Sequence, residues 1–158
     1  MTAGRLGGIA RHARSQGPIE TIGHVSVTAA EGVHGDFRGA MAATKKTRKR
    51  QVSLIEAESW AAALADLGLA PGEGPPWSDR RANLLVEGLR LPREPGKIIA
   101  IGATLRIETT VETEPCERMD ALLPGLKATL MPDWRGGVCG RVVTDGDIAI
   151  GDEVRIEE

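Results

Sequence analysis

Glycine and proline interrupt this chain so often that its regular segments must be short. The 158 residues include 20 Gly and 9 Pro, residues that make turns and end regular elements. Short apolar runs between frequent turns predict a mostly β fold with a few helices. The length suits a single domain over residues 1–158, long enough to bury a core and short for two. Aromatic residues make up only 3%, with no Tyr and one Phe. The core must therefore rest on Val, Ile, Leu and Ala, and an aromatic platform for single-stranded nucleic acid is not expected.

Residues 5–14 and 19–28 alternate apolar and polar side chains for much of their length, as half-buried strands do. Residues 31–50 carry three Gly, no sustained periodicity and a terminal basic run, and read as one long loop. A short strand over 51–55 leads into a helix over 56–67, rich in Ala, Leu and Glu, with Gly68 at its stop. Strands follow at 83–87, 98–101 and 104–113, the last alternating through Leu105, Ile107, Thr109, Val111 and Thr113. Pro115 opens a short helix. Residues 138–143 and 148–156 flank Asp145-Gly146, which reads as the turn of a closing antiparallel hairpin.

A formal net charge of −2 gives no overall pull toward nucleic acid or anionic membranes. No apolar run approaches the roughly 18 residues of a membrane span, and the N-terminus lacks a signal-peptide core. The expectation is a cytoplasmic protein with neither a membrane nor a nucleic-acid partner. In a reducing compartment Cys116 and Cys139 are expected as free thiols. With His12, His24 and His34 alone to assist, they lack the spacing of a four-ligand zinc site.

The sharpest local feature is Glu114-Pro115-Cys116-Glu117-Arg118, where an alternating strand gives way to a helix. Backbone N–H groups at a helix start and the Arg118 charge favour negative charge on sulfur, while Glu114 and Glu117 oppose it. Position alone leaves open a reactive thiol or a small apolar core residue. Cys139, among apolar neighbours, reads as a packed strand cysteine that could serve as a resolving thiol if it lies near Cys116. The basic run Lys45, Lys46, Arg48, Lys49 and Arg50 fits a solvated loop or a phosphate-bearing small ligand better than nucleic acid. Arg80, Arg81, Arg118, Arg135 and Arg141 are further candidates for an anionic ligand. The bend at Gly32-Val33-His34-Gly35-Asp36 could bring His34 and Asp36 to a pocket rim.

Six stretches taken in order carry a resemblance. They are GVHGDFRG at 32–39, RQVSLIEAE at 50–58, RRANLLVEGLRL at 80–91, IGATLRIE at 101–108, EPCERMD at 114–120 and RGGVCGRVVTDGDIAIGDEV at 135–154. Together they resemble the MOSC family, named for the C-terminal domain of molybdenum-cofactor sulfurases, over about residues 20–157. The resemblance implies a MOSC-type, barrel-like β fold and a role with molybdenum cofactor or in sulfur transfer. It points to Cys116 as the family's characteristic cysteine, carrying sulfur as a persulfide or ligating molybdenum. It also implies Arg50, Arg81 and Asn83, with Gly35 and Asp36 in the preceding loop, as cofactor-binding residues, and Arg118 stands beside them in the cysteine motif. The expected activities are a molybdenum-dependent oxidoreductase that reduces N-hydroxylated compounds, a sulfur carrier, or a non-catalytic module for a small anionic ligand. A sulfur donor or acceptor protein or a reductase would be the partner. Over these residues no pyridoxal-phosphate domain of the full sulfurases is expected, and the KKTRKR run at 45–50 is longer and more basic than the family's usual approach to this strand.

Overall fold

The computed structural model describes residues 3–157. Strands β1 (Ala3–Arg11), β2 (Glu20–Ile22), β3 (His24–Thr28) and β4 (Gly32–Val33) lead into helix α1 (Phe37–Ala43). Then come β5 (Val52–Glu56), α2 (Ala57–Ala65), a 3₁₀ turn (Trp77–Arg80) and β6 (Leu84–Glu87). Strands β7 (Ile98–Ile101) and β8 (Leu105–Glu112) precede two short helices, α3 (Glu117–Leu122) and α4 (Leu126–Leu130). A second 3₁₀ turn (Pro132–Trp134) introduces β9 (Val138–Thr144), β10 (Gly146–Ala149) and β11 (Glu153–Glu157).

Seven strands close into a barrel in the order β1-β6-β5-β9-β8-β7-β11, and β11 returns to β1 through Ala3↔Arg155, Gly4↔Val154 and Arg5↔Glu153. Every pairing in the barrel is antiparallel except β5 with β6, which α2 connects. Strand β2 adds to β1 outside the ring, and β10-β3-β4 form a second sheet. The expected mostly β, barrel-like fold with a few helices is the observed architecture. Among the described residues no helix is long and apolar enough to cross a membrane.

The pleat divides the core in two. Val52 and Leu54 of β5 and Leu84 and Val86 of β6 join the main cluster with Leu6, Ile99, Ile101, Leu105 and Ile107. Ile55 and Leu85 point the other way, under Trp60, Ala63 and Leu64 of α2, Met119 of α3, and Leu126 and Leu130 of α4. Each fully buried leucine of this kind stabilises the fold by about 1.5–3 kcal/mol. Helix α2 stops where Gly68 adopts φ +85, with Gly68 N–H donating to Ala65 O and Leu69 N–H to Leu64 O.

Several local expectations give way. The predicted strand over 19–28 breaks at Gly23, and β2 and β3 belong to different sheets. The loop expected over 31–50 contains β4 and α1, whose N-cap Asp36 accepts from Gly39 N–H at 3.0 Å. The short helix opened by Pro115 forms as α3, and α4, which follows Leu123-Pro124-Gly125, has no counterpart among the expected elements. Asp145-Gly146 is not a hairpin turn: β9 stays in the barrel while β10 crosses to pair with β3. A tight hairpin would need positive φ at these residues, and neither has it. Instead the Asp145 carboxylate accepts from Ala29 N–H at 2.8 Å, and Gly146 packs so closely that a Cβ would stand 2.5 Å from Leu105 N.

Gly146→Ala is therefore expected to destabilise the protein by about 1–3 kcal/mol, the usual cost of overpacking. Urea unfolding measures it; an unchanged midpoint would remove this close approach as the reason for glycine there.

Candidate functional site

The basic residues form two populations. Ten of the 20 Lys and Arg side chains lie within 4.0 Å of a carboxylate, among them Arg93 with Glu56, Arg141 with Glu108 and Arg135 with Asp66. Among the described residues the other ten have no such partner. Eight of them, Arg38, Lys45, Arg48, Lys49, Arg50, Arg80, Arg81 and Arg118, line one cleft of about 590 Å³. Glu114 is the single carboxylate residue in its lining, and Cys116 and Cys139 both contribute to its wall. Unpaired like charges around one cavity repel one another, and a bound anion relieves that repulsion.

Separate elements bring these groups together. Strand β1 ends beside His12, whose backbone N–H donates to Asp36 Oδ1 at 3.2 Å. That buried carboxylate also caps α1, which projects Arg38 and Met41 into the cleft. The 3₁₀ turn ends at Arg81, held in the left-handed region at φ +68, and Arg81 Nη2 donates to Gly17 O at 3.0 Å. Arg80 is buried, its Nε donating to Gly136 O at 3.2 Å and its Nη2 to Thr113 O at 2.8 Å. The link from β8 to α3 carries Thr113, Glu114, Cys116 and Arg118 along another wall.

The electrostatics agree with the geometry. Burial pulls the Arg81 guanidinium down from the ordinary arginine range, and Arg118 and Arg38 push the same way against Asp36 and Asp79. Burial likewise lowers Arg80, against the pull of the Cys116 and Cys139 sulfurs. His12 is held below 6.5 by burial; Asp36 opposes this, and Arg81, Arg38 and Arg118 reinforce it. Backbone strain gathers here as well. Of the five non-glycine residues with positive φ among those described, Gln16, Arg48 and Arg81 all line the cleft.

Among the residues singled out from the sequence, Cys116, Arg50, Arg81 and Arg118 meet in the cleft lining. Cys116 is exposed and Cys139 is buried, and both are free thiols. Asn83, Gly35 and Asp36 stand behind the lining. Asn83 Oδ1 accepts from Ser53 N–H at 3.0 Å and its Nδ2 donates to Ala10 O at 3.2 Å, which ties β1, β5 and β6 together. Arg135 and Arg141 pair with Asp66 and Glu108 and do not line the cleft. His34 is exposed with Nδ1 2.9 Å from Glu31 Oε2, and no group of three metal-ligating residues occurs among the described residues. Sequence reasoning passed over His12 and Arg38. The available signal for Arg38 was its place in the GDFRG stretch.

This architecture defines a small β-barrel domain with a cationic, cysteine-edged cleft. A family model for the MOSC domain matches residues 24–155, and the chain belongs to the MOSC family. Among solved structures it is similar to YuaD from Bacillus subtilis, with a TM-score of 0.79 and 16% identity over 98% of this chain and 95% of that one. YiiM from Geobacillus stearothermophilus aligns with a TM-score of 0.63 and 15% identity over 98% and 73% of the two chains. YiiM from Escherichia coli aligns at 0.61 and 15% over 98% and 70%. These likenesses establish the fold. A search of curated proteins finds no match.

Because His12 lies below its ordinary value of 6.5, the unfolded chain takes up a proton that the folded protein resists. Its contribution to stability is complete above pH 6.5 and falls as the pH drops from 6.5 toward the folded value. His12→Gln should flatten the decline in urea midpoint between pH 7.5 and 5.5; parallel declines in the two proteins would show that His12 does not contribute.

Proposed function

We propose that the cleft binds molybdenum cofactor, with Arg38, Arg50, Arg81 and Arg118 holding its phosphate and Cys116 supplying a sulfur ligand. The observation that carries this reading is the concentration of unpaired guanidinium groups beside an exposed thiol. Guanidinium forks match phosphate oxygens bidentately, and a soft sulfur donor suits molybdenum. When bound, the cofactor supplies two-electron redox chemistry, which this reading directs to small N-hydroxylated compounds. The chain's own residues fix the anionic end, keep His12 neutral near physiological pH, and hold Cys116 where solvent and a partner reductase reach it.

A second reading is favoured by the two free thiols that line one cleft. Here the Cys116 sulfur attacks the outer, sulfane sulfur of a persulfide on a donor protein, the donor's thiol leaves, and the Cys116 persulfide then passes that sulfur to a nucleophilic acceptor, which regenerates the Cys116 thiol. The same exposure serves this role, since a carrier must meet two partners at one sulfur. The basic cleft then holds the acceptor's anionic group.

Elemental analysis of protein made in a host that synthesises the cofactor separates the two. Under the first reading molybdenum copurifies near stoichiometrically, and Cys116→Ala lowers it by about tenfold or more, the scale that even outer-shell changes reach at metal sites. Under the second the protein is metal-free and an alkylating probe traps a persulfide on Cys116. Finding neither molybdenum nor persulfide, in wild type and variant alike, would sink the cysteine-centred account.

A further inference from the structure

We infer that Lys45 and Lys49 form a second anion subsite in the cleft, so that its ligand carries two separated anionic groups. The inference deepens the reading above and rests on the cleft being an anion site. One set of charges, Arg38, Arg81 and Arg118, acts together on His12. Lys45 lies seven residues beyond Arg38, and α1 runs between them. At 1.5 Å of rise per residue the two positions are about 10 Å apart. A single phosphate, carrying a charge of about −2, leaves most of the eight cations of the lining unneutralised, whereas two linked anionic groups neutralise more of them. A cleft of about 590 Å³ has room for them.

The lysines are exposed, but the backbone that carries them is anchored. Lys45 N–H donates to Ala42 O at 2.9 Å, closing the end of α1, where Thr44 Oγ1 donates to Met41 O at 2.7 Å. Arg48 turns its side chain inward, and its Nη1 donates to Val142 O at 2.9 Å and Gln51 Oε1 at 3.0 Å. Arg48 also adopts φ +47, an unfavourable backbone for a side chain of its size. Thr110 Oγ1 donates to Lys49 O. Elsewhere on the surface Lys97 and Lys127 pair with Glu94 and Glu117, while among the described residues neither Lys45 nor Lys49 has a carboxylate partner.

Calorimetry at fixed ionic strength, with fructose 1,6-bisphosphate and fructose 6-phosphate as probes of anion spacing, tests the subsite. The bisphosphate should bind about tenfold tighter, as linked groups that engage two sites do. The double variant Lys45→Ala/Lys49→Ala should cut that advantage to within about twofold and leave the monophosphate Kd nearly unchanged. Arg14→Ala/Lys46→Ala removes the same charge from residues outside the cleft lining and should preserve the advantage. Equal binding of the two probes, an advantage that survives the Lys45/Lys49 variant, or one lost equally in the control variant overturns the second subsite alone. If neither sugar phosphate nor inorganic phosphate binds, the anion cleft itself fails and the inference falls with it.

Discussion

Closure of the barrel through β1 is the constraint on which the remaining structure depends. This strand pairs with β11 at residues 3–5, with β6 at residues 5–9 and with β2 at residues 9–11. Within the β6 ladder its register shifts between Leu6 and Gly8. Its glycines admit close neighbours: a Cβ on Gly4 would stand 2.5 Å from Glu87 O, and one on Gly8 would stand 2.5 Å from Trp77 Cζ2. Closing the ring removes the exposed edges that an open sheet of these strands would present. It also delivers His12, the residue after β1, to the cleft wall. The segment that leaves the closing strand thus supplies part of the cleft lining, His12, Ser15 and Gln16.

What could be read from the sequence follows from how local each determinant is. The alternation of Leu105, Ile107 and Thr109 is carried by the residues themselves, and β8 buries them in turn. Helix α2 and its glycine stop are likewise local, since composition and one left-handed residue set its bounds. Helix α1 escaped notice because seven residues containing Gly39 show little periodicity. Gly39 is required by packing across the chain, where a Cβ would meet Glu31 O at 2.5 Å. The Asp145-Gly146 pair misled for the converse reason. It has the composition of a tight turn, but contacts with Ala29 and Leu105, distant in sequence, decide its geometry.

The candidate site divides in the same way. Cys116, Arg81 and Arg118 could be selected from short motifs, because the chemistry belongs to each residue. Whether an arginine is free or paired belongs to the fold. Arg141 and Arg135 resembled Arg81 and Arg118 in sequence, yet Glu108 and Asp66, 33 and 69 residues away, claim them. Asn83 was implied as a cofactor-binding residue by the resemblance, and only the fold shows that its side chain bonds the backbone of two neighbouring strands. No local pattern separates a side chain that faces a ligand from one that holds the strand behind it.

Three costs coincide at the cleft: left-handed backbone at Gln16, Arg48 and Arg81, burial of Arg80, and mutual repulsion of Arg38, Arg81 and Arg118. Each opposes folding, and single substitutions would relieve each of them. Left-handed backbone costs a non-glycine residue roughly 1–2 kcal/mol. Guanidinium groups without carboxylates forgo the pairing that the chain achieves at ten other basic residues. An anion that binds only the folded protein reverses the repulsive part of this burden and stabilises the fold by mass action. Strain and unneutralised charge held at one place, on a barrel whose other cations are largely paired, are what a preorganised anion site requires, because the ligand then finds its donors already in position.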